Sequence, residues 1–388
     1  MIKPAQYLGT AVYTLLLILA AVFYLERMAV LDMAFQTFQI LRTGELQIQS
    51  GRFGAAGTQV FAWAAQALGL PLKGVLTAYS LGHVLYYLLI FLLITLCFRQ
   101  WKWALALVLL STLMTTHTFY WLSEMPQGLA FLVLVLAWLD YKGGLGAFRW
   151  CEYPALLAAL VTAFYFHPMV LHALAFCSLY VLLDGASDRS RKVLFGIALA
   201  VFAVLYFVKY KLLPLDWYDA MSLSRAKAYG ELWPNWFDLQ SNRDFLQWCL
   251  RDYYFVPIIT ALNTGYFLWR RQWPKAGLVA LVPIGFAILV NVPFYRGDNQ
   301  FYLENLYLPL ALFTAVPLVF DVLPGLLPER KIWIPVACIA AIGLFRIFQT
   351  HSPWTARLDW ERNFLKNTSG KLIVTEAQAP MGTLILSW

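Results

Sequence analysis

Long apolar runs separated by short polar breaks recur along almost the whole chain. They lie near residues 8–25, 75–97, 101–116, 126–139, 153–166, 169–184, 193–208, 255–269, 277–293, 306–321 and 332–349. About eleven such runs approach the ~20 residues that a helix needs to cross a bilayer, and the shorter ones fit by tilting or local thinning. The pattern predicts an all-α fold, a polytopic transmembrane bundle over residues 1–349, followed by a short external tail over 350–388 that a truncated soluble segment would also explain. Two runs in that tail, 373–375 and 384–388, read as strands. The first apolar run is too long for a signal peptide and no small-residue cleavage site follows it, so it reads as a retained span.

The breaks between runs are not equivalent. Short loops with Arg99 and Lys102, Lys142 and Arg149, Arg189 to Lys192, Arg270 to Lys275, and Arg330 with Lys331 are basic. The loops around 117–124 and His167 hold neither Lys nor Arg. Cytoplasmic loops collect Lys and Arg, so the N-terminus is expected inside and the tail outside, in a multi-pass inner membrane. The outer side then carries the loop 26–73, the Glu124 loop, the His167 turn, the loop 209–254 and the segment 291–304. Within 26–73, Met33, Phe35, Phe38, Ile40 and Leu41 mark one apolar face, and Val60, Phe61, Trp63, Ala64 and Leu68 another. Such segments are expected to lie in the interface plane.

Composition agrees. The 388 residues are 61% hydrophobic and only 13% charged, with mean hydropathy +0.63, against about 25% charge in soluble domains. The net charge of +8 follows from loop bias and from attraction to anionic head groups, and no nucleic-acid partner is expected. Five scattered cysteines offer neither a zinc site nor a disulfide framework.

Candidate chemistry gathers on the expected outer side. Asp32 follows the first span among apolar neighbours, where partial desolvation suits a general base or metal ligand; a helix N-cap is the structural alternative. Glu124, in Ser123-Glu124-Met125-Pro126, either complements a helix start or joins Asp32 and His167 around a divalent metal, Mg or Mn. His167 stands at a turn before Pro168, a candidate metal ligand or phosphate contact, with an interfacial turn residue as the alternative. His83, His117 and His172 read as packing residues at span ends. Arg296 is a candidate phosphate clamp, with Asp298 and Glu304 as hydroxyl partners; a turn salt bridge is the alternative. Arg52, beside glycines, is a further phosphate candidate. The aromatic loop 209–254 reads as a lid or acceptor platform.

An Arg and an acid after the first span (Arg27, Asp32), a long first external loop and a second acid before the fourth span (Glu124) together resemble the GT-C superfamily of membrane glycosyltransferases. The similarity covers roughly the first 170 residues in motif and the rest in layout. It implies a polyprenyl-phosphate-linked sugar donor, inverting transfer to a lipid, glycan or protein acceptor on the outer face, and often a divalent metal. It gives Asp32 the catalytic acid position and Glu124 the metal or acceptor position; Asp32 and Glu124 are thus the candidate catalytic residues, and Arg27 is a candidate for substrate binding. Single acids stand where the family commonly has a pair. Two other classes compete: a lipid-linked glycan flippase, which would place charges near mid-membrane, and a glycan polymerase or ligase.

Overall fold

A polypeptide in hydrocarbon must satisfy its own backbone, so apolar runs of this length become helices. In the computed structural model, which describes residues 2–367, every apolar run except 101–116 falls essentially on one helix or on consecutive helices, and no strand occurs among the described residues. The chain begins with α1 (Ile2–Val22), α2 (Tyr24–Met28), α3 (Leu31–Thr43) and α4 (Ala56–Ala67). There follow α5 (Leu72–Leu92), α6 (Trp101–Leu110), α7 (Glu124–Lys142), α8 (Glu152–Phe164), α9 (Val170–Leu182) and α10 (Arg189–Phe207). The second long loop forms α11 (Trp217–Ser224), α12 (Lys227–Glu231) and α13 (Gln240–Arg251). The remainder is α14 (Phe255–Trp269), α15 (Trp273–Asn291), α16 (Gln300–Tyr307), α17 (Pro309–Pro317), α18 (Leu323–Leu326), α19 (Trp333–Gln349) and α20 (His351–Lys366). Six helical stretches among the described residues are long and apolar enough to cross a membrane: 2–22, 72–97, 189–212, 273–294, 309–326 and 329–366. The helices α6, α8, α9 and α14 are apolar but shorter.

The centre of the bundle is built from helices that are apolar all round, as burial on every side requires. Residues 103–110 of α6 and all of α17 are buried, as is most of α7. The run expected as a span over 101–116 stops as helix at Leu110. The hydroxyls of Ser111 and Thr112 turn back to the carbonyls of Leu107 (3.0 Å) and Val108 (2.8 Å), a bond that competes with helix continuation. Residues 111–123 therefore run as a partly buried irregular segment, longer than the short loop the sequence suggested.

Polar clusters mark the two ends of α7, whose 19 residues hold them about 28 Å apart. At its C-terminal end Arg191 meets Asp140 at 2.6 Å, and the buried Lys275 lies between Asp184 (3.1 Å) and Asp321 (2.6 Å). These come from the basic short loops and neighbouring helix ends. Glu124 opens the other end. Arg346, the charge within the last apolar run, is answered by Asp252. The start of the tail is helical: on α20, Thr355 donates to Glu26 (3.0 Å) and Arg357 to the Ala29 carbonyl (2.8 Å). The strand-like runs at 373–375 and 384–388 lie outside the described residues.

Both helices of the first loop differ from expectation in which face they turn inward. Buried on α3 are Met33, Gln36, Thr37 and Ile40, and on α4 Thr58, Gln59, Ala62 and Ala65. Phe38, Leu41, Val60, Trp63 and Leu68 point outward. Polar side chains thus face the interior, and part of the apolar set is left outward, as a helix lying at a lipid boundary would place it.

Candidate functional site

The inward polar face of α3 explains the site. Asp32 and Gln36 are one turn apart, so their side chains share a face. Gln36 donates to Glu124 at 3.4 Å and accepts from the Tyr79 hydroxyl at 2.6 Å. Val30, not Asp32, is the N-cap of α3, and it offers no side-chain bond. Asp32 sits in the first turn, so the capping role suggested by sequence does not apply. Its carboxyl is instead pushed up to about 7, first by burial and then by the charge of Glu124, against the pull of Arg52.

Arg52 reaches the same point from the loop between α3 and α4. Gln59, fully buried, accepts from the Gln47 backbone N–H (2.7 Å) and donates to its carbonyl (2.8 Å). This reciprocal pair closes the loop at its base. The guanidinium stands 3.6 Å from Glu124, with side-chain exposures of only 12% and 10%, and lies over the Tyr218 ring at 4.9 Å. Burial is the largest single influence and opposes its charge, but Glu124, Tyr218 and Asp219 together outweigh it and hold the group above its ordinary value.

Close packing sets the approach of the first loop to α7. A Cβ on Gly54 would fall 2.6 Å from the Phe166 ring, and one on Gly128 would fall 2.5 Å from the Phe166 Cβ. Only side chains without a Cβ let this ring lie between the Arg52 loop and the first turns of α7. His167, the next residue, is thereby brought to the same region. Its ring accepts from the Met169 N–H at 3.2 Å. Burial first, then the charges of Arg52 and Lys209, hold it well below the ordinary imidazole range, so it is a neutral ring here.

Beside Arg52 opens a cavity of about 300 Å³, lined among others by His167, His172, Tyr218, Asp219, Arg225 and Tyr302. That volume is at the lower end for small-ligand sites. The second long loop forms one wall, as a lid would: Asp219 of α11 is tied to Lys209 at 2.7 Å, and Tyr229 of α12 donates to the Leu289 carbonyl at 2.5 Å. His172, expected as a packing residue, lines this cavity, and its Nδ1 is buried without a hydrogen-bond partner.

Other candidates are placed elsewhere. Arg27 is buried, with its donors directed to the Ser80 hydroxyl (2.9 Å), the Phe119 carbonyl (2.6 Å) and the Ser80 carbonyl (3.3 Å). It joins α2, α5 and the 111–123 segment, and its hydrogen bonds are made within the protein. Arg296 and Asp298 are exposed. Arg296 lies by the Tyr295 ring, and Asp298 accepts from the Asn299 N–H at 2.7 Å; the turn salt bridge is not formed among the described residues. Glu304, by contrast, is wholly buried and accepts from Thr116 (2.7 Å), Thr118 (2.8 and 2.9 Å) and Tyr253 (2.7 Å). Burial pushes its carboxyl up to about 7 in spite of those bonds. Arg296 and Asp298 thus stand at the surface, whereas the Glu304 carboxyl is enclosed by hydroxyls.

The metal set expected from Asp32, Glu124 and His167 is not assembled: no group of three His, Cys, Asp or Glu side chains among the described residues is placed to hold an ion. The physical reason is Arg52, a cation already paired with Glu124 and interacting with both other members. Mg or Mn does not fit this donor set. Sequence reasoning missed Gln36, Tyr79, Tyr218, Arg225 and Tyr302. Only Gln36 left a signal, as a polar residue one turn after Asp32. No known family, characterised protein or solved structure matches this chain.

Proposed function

We propose that this protein is a multi-pass membrane glycosyltransferase of GT-C type, its apolar runs crossing an inner membrane about eleven times. In this reading it transfers a sugar from a polyprenyl-phosphate donor to an acceptor hydroxyl, with inversion, on the outer face. The observation that carries the reading is the interacting pair Asp32 and Glu124 with Arg52 beside it, at the edge of a cavity walled by both long loops. Asp32, with its carboxyl near neutrality, is suited to general-base work, because a base is most effective when its pKa lies near the working pH. Its carboxylate takes the proton of the acceptor hydroxyl as that oxygen attacks the anomeric carbon. The bond from that carbon to the phosphate oxygen breaks, and the phosphate leaves with the electron pair. Arg52 stabilises the charge developing on the leaving group, while Glu124, itself held by Gln36, positions the arginine. No metal takes part in this scheme.

The test is transfer of labelled sugar from a short-chain prenyl-phosphate donor by the purified full-length protein. Asp32→Asn keeps the shape and removes the base, so the rate should fall about 10²–10⁴-fold with the protein still folded. Glu45→Gln, at an exposed acid on the same loop, should behave as wild type. An Asp32→Asn protein with wild-type transfer would remove the proposed base. Movement of labelled lipid between leaflets by wild type, without transfer, would favour a flippase.

A further inference from the structure

The cavity beside Arg52 has a second cation that the transfer scheme leaves unused. Arg225 follows α11 and lines the same cavity as Arg52. It stacks on Phe294 at 4.9 Å and interacts with the Tyr302 hydroxyl. Among the described residues no carboxylate lies within ion-pair distance of it. Asp219, the acid on the cavity wall, is answered by Lys209 at 2.7 Å. Arg52 is partly answered by Glu124, but its Nε is buried with no hydrogen-bond partner. Tyr218 lies between the arginines: its ring is under Arg52, and its hydroxyl interacts with that of Tyr302.

We propose that Arg52, from the first long loop, and Arg225, from the second, form a two-arginine cradle for the phosphoryl oxygens of a lipid-borne phosphate. A half-buried cation without a counter-ion is costly, and an anion entering the cavity removes that cost. Guanidinium forks present paired donors that match phosphoryl oxygens, which a point charge does not. The hydroxyls of Tyr218 and Tyr302 supply further donors along the same wall. Because the two arginines come from separate loops, the cradle exists only when the second loop is seated on the first, so phosphate binding and closure of the cavity are coupled. The inference rests on reading this cavity as the donor side of the transfer site, and adds Arg225 as a binding residue.

Binding of farnesyl phosphate and, separately, inorganic phosphate to the full-length protein in detergent tests this by calorimetry. Arg225→Gln should weaken farnesyl phosphate about 10- to 100-fold, the usual effect of losing a charged hydrogen bond. Arg225→Lys should recover part of the loss, and Lys227→Gln, at an exposed neighbour, should bind as wild type. Tyr302→Phe, which keeps the ring and the fold, should weaken binding by a smaller factor and guards against misfolding of the arginine variant. Asp32→Asn should bind at least as tightly as wild type while losing transfer, which separates failure of the cradle from failure of the proposed reaction. Wild-type affinity in both Arg225→Gln and Tyr302→Phe would overturn the proposal. Equal affinity for inorganic phosphate and farnesyl phosphate would overturn its lipid source.

Discussion

Replacing Asp32 by Asn should stabilise the protein at about pH 8 while leaving it close to wild type near pH 4. The carboxyl rises from 3.8 to about 7 on folding. Between those values the folded chain binds more protons at this site than the unfolded one, so wild-type stability falls as pH rises through that window and is flat above it. A shift of roughly 3 units corresponds to at most about 4 kcal/mol. The side chain is only partly buried, and water and Arg52 screen its charge, so about 1–2 kcal/mol is the expected gain. Asn has the same shape and carries no charge to desolvate, so the gain appears only where wild-type Asp32 is ionised. Unfolding of a helical membrane protein is often irreversible, so thermal inactivation at one fixed scan rate in one detergent is the appropriate assay, repeated from about pH 4 to 8. The gap between variant and wild type should open between about pH 4 and 7 and then stay constant. A variant less stable than wild type at pH 8, or a gap that ignores pH, would refute the account of Asp32 as a carboxylate held against burial and Glu124.

Arg27→Met should cost about 2–4 kcal/mol, because two buried carbonyls and a hydroxyl lose their donor, while donor affinity of the folded fraction stays unchanged; a normal melting temperature with weakened donor binding would return Arg27 to the substrate. On topology, an impermeant thiol reagent added outside should leave the exposed native Cys151 unlabelled and should label a cysteine placed at Lys227. The reverse pattern would put the site in the cytoplasm and favour a nucleotide-sugar donor.

The sequence by itself determined the helical class and most helix positions, because a run of apolar residues has no other way to satisfy its backbone in hydrocarbon. It also separated the two ends of the bundle. Alternating loops differ in Lys and Arg content, and the structure places Arg191 and Lys275 at the end of α7 remote from Glu124. Asp32, Glu124, Arg52 and His167 were legible as candidates because polar groups beside apolar runs are few. What they do to one another was not legible. That Arg52 stands on Glu124 depends on a loop closed by Gln59 and on the Phe166 ring lodged between Gly54 and Gly128, contacts whose partners are far apart in the chain. The same long-range packing took Arg27 inward, left Arg296 on the surface and enclosed Glu304 among hydroxyls. Arg225 carried no mark in the sequence at all. An arginine in a long aromatic loop becomes a binding group only when tertiary packing puts it on one cavity with another cation, since distance and burial, not residue type, decide what a charge can do.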